Sequence, residues 1–171
     1  MKTAILALAA LTAATAPARP PRPATPEVTE IRIDKSDHTL SLFAGDTAVR
    51  TYGVALGPGG AGPKQWEGDQ KTPVGTYRVS GRIPGLFHRF LVVSYPNDED
   101  RLRYGELKRL GEVPKGRGVG HSIGIHGVGS RELAGVHKET DWTLGCIALD
   151  DAEIDEVASL VKDGTRIVIS D

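Results

Sequence analysis

The chain has 171 residues, with 21 lysines and arginines against 22 aspartates and glutamates, and a pI near 6.5. This balance shows no basic excess, so composition gives no support to nucleic-acid binding. The chain contains a single cysteine, so no framework of internal disulfides can stabilise the fold.

The N-terminal residues have the pattern of a cleavable signal peptide. Lys2 supplies a basic start, and the apolar run from Ile5 to Leu11 is too short to span a bilayer. Small residues at positions 16 and 18 fit a cleavage site. We therefore predict a signal peptide over residues 1–18 and a periplasmic or secreted location, with an uncleaved N-terminal anchor as the alternative.

A proline-rich spacer is predicted next, over residues 19–29. Its prolines are incompatible with the interior of a helix or a sheet, so we expect an extended segment. The remainder, residues 30–171, amounts to about 140 residues, which fits one domain with an adequate core.

The folded part has mainly the pattern of β-strands. Ile31 and Ile33 alternate with polar residues, as do Leu40 and Leu42, and the turn residues 34–37 between them predict a hairpin. Further short strands are predicted at residues 49–56, 75–79, 91–95, 123–126 and 166–169.

One helix is predicted, over residues 151–161. Asp150 is the expected N-cap, Glu153 stands at the capping-box position, and Gly164 is the stop signal. The apolar face of this helix consists of Ile154, Val157, Ala158 and Val161. The expected fold is a mainly β single domain with one or two helices.

Residues 57–62 imitate a nucleotide-binding loop, because they match the spacing G-x-G-x-x-G after a predicted strand. A phosphate site of that kind requires a helix to begin directly after the glycines. Pro63 and Gly68 interrupt any helical pattern there, so we expect a loop without a nucleotide.

Cys146 is the candidate nucleophile, because an unpaired thiol in an exported protein needs its own explanation. Gly145 permits a tight turn in which the N–H groups of Gly145 and Cys146 could point at a developing oxyanion. Thr143 could form a hydrogen bond within this loop. The alternative is a small, unreactive buried cysteine.

A histidine is the expected partner, since a nearby imidazole can lower the pKa of a thiol from about 8.5 to below 7 and convert it to thiolate. His126 is the best placed of the five histidines, because it ends an apolar strand pattern. Gly127 after it allows close approach of a substrate. Asp141 and Trp142 could position the substrate, or they could be a turn cap and a core residue.

Two motifs near the cysteine and one earlier block share a known pattern. Ile125-His126-Gly127 and Thr143-Leu144-Gly145-Cys146-Ile147 are similar to His-Gly and Ser/Thr-x-Gly-Cys signatures, and residues 69–75 read Asp-x-x-Thr-Pro-x-Gly. Together they resemble the catalytic domain of the L,D-transpeptidases, the YkuD-type family, over roughly residues 31–169. Residues 67–69, 94–97 and 141–143 resemble its YafK-like branch in particular.

The resemblance implies a β-sandwich-type domain and a periplasmic peptidoglycan enzyme without cofactor or metal. Cys146 would attack the bond between meso-diaminopimelate and the terminal D-alanine of a tetrapeptide stem, with His126 as general base steadied by a backbone carbonyl. An amine would then resolve the thioester, giving a 3-3 cross-link or the attachment of a lipoprotein. Hydrolysis, including release of a peptidoglycan-bound lipoprotein, is the alternative. The residues expected to form the oxyanion site and to position the substrate are Gly127, Thr143, Gly145, Asp141 and Trp142.

One position departs from the family pattern, because Ala148 stands where many members have an arginine that lines the site. Arg78, Arg89 and Arg117 are candidates to replace it, and the sequence does not choose among them.

Two further alternatives remain from the sequence. The first is a zinc peptidase whose ligands come from His121, His126, His137 and Cys146. The second is a module that binds peptidoglycan without catalysis.

Overall fold

The computed structural model describes residues 26–171. The predicted signal peptide and most of the predicted spacer lie outside these residues. No helix within the described residues is long and apolar enough to cross a membrane.

Eight strands and two α-helices make up the described part of the chain, which confirms the mainly β prediction. The elements in chain order are β1 (Glu30–Asp34), β2 (Thr39–Ala44), β3 (Thr47–Gly53), β4 (Gly75–Gly85), β5 (His88–Val93), α1 (Asp98–Arg109), β6 (Gly124–His126), β7 (Ile147–Ala148), α2 (Asp151–Leu160) and β8 (Arg166–Ser170). Two 3-10 turns, Arg131–Leu133 and Val136–Lys138, lie between β6 and β7.

The strands form one sheet in the order β3-β2-β1-β8-β4-β5-β6-β7. The pairs β1–β8 and β6–β7 are parallel, and the other neighbours are antiparallel. The long strand β4 belongs to both halves of the sheet, because residues 75–78 pair with β8 and residues 79–85 pair with β5. The chain therefore passes from one half of the sheet to the other along a single strand.

Apolar residues from both halves of the sheet share one core. Ile31 and Ile33 of β1 lie beside Ile167 and Ile169 of β8, and all four are almost completely buried. Burial of one such side chain stabilises the fold by about 1.5–3 kcal/mol relative to its exposure. The alternating pattern of the sequence thus identified the core face correctly.

The two ends of the strand order meet at a single bridge. Beyond β3, the N–H of Ala55 donates to the carbonyl of Ala148 over 3.1 Å, and the N–H of Ala148 donates back to Ala55 over 2.9 Å. Because Ala148 belongs to the edge strand β7, this bridge joins that edge of the sheet to the segment that follows the opposite edge strand, β3. The residues just before β7, which include the cysteine, are thereby placed against residues 55–57.

Helix α2 agrees with its prediction. Asp150 is its N-cap residue, and the carboxylate of Glu153 accepts a 3.0 Å hydrogen bond from the N–H of Asp150, as in a capping box. Ile154 and Val157 are fully buried on the predicted apolar face.

Helix α1 was not placed by the sequence analysis, because it lacks an apolar stripe. Asp100 is its one buried residue, and it accepts a 3.0 Å hydrogen bond from the hydroxyl of Tyr77. A capping box between Asn97 and Asp100, with acidic residues in the first turn and basic residues in the last, favours the helix locally. The capping residues and the charges at the two ends are therefore the sequence features that indicate this helix, since apolar periodicity is lacking.

The glycine-rich residues 57–62 form a loop that no helix follows, as the sequence predicts. The loop is held at Gly62, whose carbonyl accepts a 3.0 Å hydrogen bond from Lys35 and whose N–H donates to the Asp171 carboxylate over 2.8 Å. The absence of a helix start here removes the anion-binding geometry of a phosphate loop.

Candidate active site

The pairing of β6 with β7 brings the candidate nucleophile and base to one face. His126 pairs with Ala148 in parallel register, and continuing this register by two residues sets Gly124 beside Cys146. Because successive side chains point to opposite faces, His126 and Cys146 share a face while Ile125 and Ile147 face the core.

His126 and Cys146 line a single cleft of about 730 Å³. Two groups of residues surround them. The apolar wall consists of Ile83, Leu86, Phe87, Phe90, Val92, Trp142 and Leu144. The charged wall consists of Lys64, Glu67, Gly68, Arg117, Gly120, His121 and Ser122.

His126 has a defined tautomer. Its Nδ1 lies 2.6 Å from the carbonyl oxygen of Gly127. Since a carbonyl only accepts hydrogen bonds, Nδ1 must carry the proton and Nε2 of the neutral ring keeps a lone pair. The ring is therefore oriented as a base that can accept a proton at Nε2.

Aromatic rings cover His126, which is 2% exposed. Phe90, its directly paired neighbour on β5, stacks at 5.6 Å, Phe87 stacks at 4.7 Å, and Trp142 approaches edge-on at 6.0 Å. This burial lowers the pKa of His126 below its ordinary value, although the hydrogen bond to Gly127 opposes the shift. The imidazole is thus kept in its neutral, proton-accepting form.

Cys146 is partly buried, and its sulfur contacts the carbonyl of Ser122 at 3.6 Å. Burial raises the pKa of the thiol above its ordinary value, while the N–H of Gly124 and the charge of Lys64 act in the opposite direction. The expected lowering of this pKa by a nearby imidazole is opposed by the loss of water at the sulfur. Burial thus favours the neutral form of both the thiol and the imidazole.

A buried ion pair supports the charged wall. The ammonium of Lys64 and the carboxylate of Asp69 are 2.5 Å apart, and both side chains are about 3% exposed. Burial alone would raise the pKa of Asp69, but hydrogen bonds from the N–H of Gln65 and from Lys64 outweigh it and lower that pKa. Asp69 thereby fixes the turn that carries Lys64 to the cleft.

Thr143 braces the loop of the nucleophile. Its hydroxyl donates to the carbonyl of Cys146 over 2.7 Å and accepts from the N–H of Gly145 over 3.1 Å. The N–H groups of Trp142 and Thr143 both donate to the carbonyl of Leu56. The loop is therefore fixed to the segment that closes the sheet.

Two of the five predicted positioning residues, Thr143 and Trp142, line the cleft with Cys146 and His126. Asp141 does not line it, and its carboxylate instead accepts a 2.7 Å hydrogen bond from the N–H of Leu56 and contacts His38 at 3.1 Å. Asp141 therefore ties the loop to the rest of the fold from behind the cleft.

Neither predicted glycine lines the cleft. A Cβ at Gly127 would lie 2.4 Å from the carboxylate of Asp151, and one at Gly145 would lie 2.6 Å from the carbonyl of Lys71. The N–H of Gly145 is already donated to Thr143, whereas the N–H of Cys146 donates to no acceptor within residues 26–171. Of the two expected oxyanion donors, the structure thus leaves the N–H of Cys146 available.

The remaining histidines take different positions. His121 lines the cleft and contacts the hydroxyl of Ser122 at 2.6 Å, whereas His137 is buried behind Trp142 and contacts Asp150 at 3.1 Å. Within residues 26–171, no three histidine, cysteine or acidic residues are grouped so that they could hold a metal ion.

The aromatic cover of the base has no local signal in the sequence. Phe87 and Phe90 belong to no motif, and the pairing of Phe90 with His126 becomes visible only once the register of β5 and β6 is known. Lys64 and Glu67 stand just before the Asp-x-x-Thr-Pro block, so the sequence drew attention to this segment. It did not predict that the two side chains line the cleft.

The sequence model of the L,D-transpeptidase catalytic domain family, YkuD, matches residues 29–169. The chain belongs to this family. The match is to the family as a whole, so the YafK-like branch stays a prediction. No protein with a curated description matches the chain.

Solved structures agree with this fold. A point mutant of the helical cell shape determining protein Pgp2 from Campylobacter jejuni is 25% identical, with a TM-score of 0.61. The protein Bd1075 from Bdellovibrio bacteriovorus is 21% identical, with a TM-score of 0.57, and an L,D-transpeptidase from Xylanimonas cellulosilytica is 15% identical, with a TM-score of 0.53. The alignments cover 83%, 85% and 88% of this chain and 46%, 48% and 64% of those proteins. The chain thus spans about half the length of the first two.

Proposed function

We propose that the protein is a peptidoglycan L,D-transpeptidase that works through a cysteine thioester. The observation that carries the proposal is the arrangement of Cys146 and His126 on one face of β6 and β7, inside one cleft. The hydrogen bond from Nδ1 of His126 to the carbonyl of Gly127 leaves Nε2 as the proton acceptor.

The first half-reaction forms the thioester. The sulfur of Cys146 attacks the carbonyl between the L-centre of meso-diaminopimelate and D-alanine while Nε2 of His126 takes the thiol proton. The N–H of Cys146 donates to the oxyanion that develops. The carbon–nitrogen bond then breaks, and His126 returns the proton to the departing amine of D-alanine. Because burial favours the neutral form of both groups, we expect proton transfer to accompany the attack.

The second half-reaction transfers the acyl group to an amine. His126 takes a proton from the acceptor, which attacks the thioester and releases the thiol. The acceptor is the side-chain amine of another diaminopimelate stem, giving a 3-3 cross-link, or a lysine of a lipoprotein. The aromatic cover over His126 supports an amine rather than water, since it limits access of solvent to the base.

The proposed location is the periplasm or the cell exterior, where peptidoglycan lies. The predicted signal peptide over residues 1–18 supports this location. Cross-linking there would contribute to cell-wall organisation and cell shape, and the similar protein Pgp2 is described as determining helical cell shape.

The test is intact-protein mass spectrometry after incubation with a carbapenem and, separately, with diaminopimelate tetrapeptide muropeptides. We expect a covalent adduct and release of D-alanine with the native protein and neither with Cys146→Ala. Dimeric products would show transfer, whereas tripeptides alone would show that the protein is a hydrolase. An unmodified native protein with unchanged tetrapeptides would refute the cysteine mechanism.

A further inference from the structure

We infer that Arg117 and Glu67 form a binding site for an α-amino-acid end group, that is, a carbon that carries both a carboxylate and an ammonium. The inference rests on the proposed function and specifies its donor substrate. The end group is the D-centre at the far end of the diaminopimelate side chain, which is separated from the reacting carbonyl by a short methylene chain.

The two side chains belong to segments that are held together. The N–H of Glu67 donates to the carbonyl of Gly118 over 2.8 Å. The Arg117 guanidinium lies over Gly68, where a Cβ would approach it to 3.4 Å, and the Glu67 carboxylate lies over Gly118, where a Cβ would approach it to 3.7 Å. Each charged side chain thus rests on the glycine that follows the other, and both line the cleft that contains Cys146.

Both charges are available to a ligand. Among residues 26–171, neither the guanidinium of Arg117 nor the carboxylate of Glu67 forms an ion pair or a side-chain hydrogen bond. The third charged side chain of this wall, Lys64, is already paired with Asp69. Opposite charges that are adjacent but not joined offer complementary partners to the two halves of a zwitterion.

The backbone that carries Arg117 is fixed rather than loosely attached. Its carbonyl accepts a 2.9 Å hydrogen bond from the hydroxyl of Tyr104 on α1, and its N–H donates to the carbonyl of Pro114 over 3.1 Å. Helix α1 therefore holds the arginine at the cleft. A fixed backbone reduces the entropy that is lost when the side chain engages a ligand.

The other candidate arginines are committed elsewhere. Arg78 donates to the carbonyl of Gly164 over 3.0 Å, and Arg89 pairs with Asp155. Ala148, at the position of the family's arginine, is fully buried and does not line the cleft. Within the described residues, Arg117 is the one arginine that lines the cleft, so the carboxylate-binding role falls to it.

The chemistry of the stem fits this pair of charges. The guanidinium of Arg117 can bind a carboxylate with two parallel hydrogen bonds, while Glu67 accepts the ammonium. A stem with L-lysine in place of diaminopimelate lacks the carboxylate, and an amidated diaminopimelate has it neutralised. The site therefore selects a donor stem whose diaminopimelate is free and unamidated.

The test compares the native protein with Arg117→Gln and Glu67→Gln on tetrapeptides that contain diaminopimelate, amidated diaminopimelate or lysine. We expect the native protein to prefer free diaminopimelate, and Arg117→Gln to lose about 10- to 100-fold in kcat/KM on that substrate alone. Arg101→Gln, which changes an exposed arginine on α1 outside the cleft, is the matched control and should behave as the native protein. Acylation of Arg101→Gln by a carbapenem should match that of the native protein.

The outcomes separate the inference from the proposed function. Normal carbapenem acylation with no difference among the three tetrapeptides would refute the end-group site and leave the transpeptidase proposal intact. If the native protein is not acylated, binding can still be read by adding free meso-diaminopimelate to the Cys146→Ala protein and following amide chemical shifts. We expect shifts at Gly68 and Gly118 that are lost when Arg117→Gln is added. No shifts there would overturn the inference without reference to catalysis.

Discussion

The apolar wall and the charged wall of the cleft differ in the exposure of the polar groups that they present. His126, beneath Phe87 and Phe90, is almost completely buried, whereas Glu67 and Arg117 are exposed. A buried imidazole stays neutral and ready to accept a proton. An exposed pair of opposite charges keeps the flexibility and hydration that suit recognition of a charged end group.

This difference separates proton chemistry from substrate choice. The apolar wall favours the neutral form of the base, and in our proposal the charged wall selects the stem peptide. Changes in one wall should therefore leave the function of the other in place. The following experiments, ordered from the largest expected effect to the smallest, test that separation.

Replacing the base should have the largest effect. His126→Gln keeps a polar side chain of similar size but removes the proton acceptor, so we expect carbapenem acylation to slow by about 10²- to 10⁴-fold. His121→Gln makes the same chemical change at an exposed histidine of the charged wall and should alter the rate by less than about twofold. Equal losses in the two variants would show that the walls are not functionally distinct.

Removing the brace of the nucleophile loop should have an intermediate effect. Thr143→Val leaves the buried N–H of Gly145 and the carbonyl of Cys146 without their partner, at a cost of about 1–3 kcal/mol in the free energy of unfolding. Urea denaturation measures this loss, and acylation should slow in parallel because the loop is less well fixed. Thr143→Ser retains the hydroxyl and should restore most of both properties; an equally impaired serine variant would contradict the assignment.

Uncovering the base should change its pH dependence. Burial lowers the pKa of His126, so acylation by the native protein should fall only below the ordinary histidine range near 6.5, as the base becomes protonated. Phe87→Ala admits water and should move this acidic limb to higher pH in a profile of acylation rate. Leu86→Ala, a neighbouring change that does not uncover the imidazole ring, should leave the limb in place. A native limb above pH 6.5 would contradict the effect of burial.

The pH dependence of alkylation at Cys146 should show the smallest of these effects. Burial raises the pKa of Cys146, so alkylation by iodoacetamide should reach half its maximal rate at a pH above that of a free thiol, whose pKa is about 8.5. A small-molecule thiol measured in parallel is the reference. A midpoint below pH 7 would instead indicate a preformed thiolate paired with imidazolium.

The sequence predicted the elements whose burial follows a simple period. Strands β1, β2 and β8 and helix α2 each bury residues at regular spacing, and Cys146 and His126 lie in short recognisable motifs. Helix α1 was not predicted, because its one buried residue is the charged Asp100 and no apolar periodicity indicates a helix there.

Features that depend on register or burial were not accessible from the sequence. Phe90 covers His126 because β5 pairs with β6 at that residue, and no local pattern encodes this pairing. The choice of Arg117 required knowing where Arg78 and Arg89 find their partners. The direction of the pKa shift at Cys146 likewise depends on how much water the folded chain removes.

The bridge between Ala55 and Ala148 has a consequence for local unfolding. Through it, the nucleophile loop is joined to both edges of the sheet, so the loop cannot open as a separate cooperative unit without breaking the closure. In native-state hydrogen–deuterium exchange, the amides of Ala55 and Ala148 should exchange as slowly as those of the central strands, although each lies in a very short paired segment. The site would then share the global stability of the fold instead of fluctuating on its own.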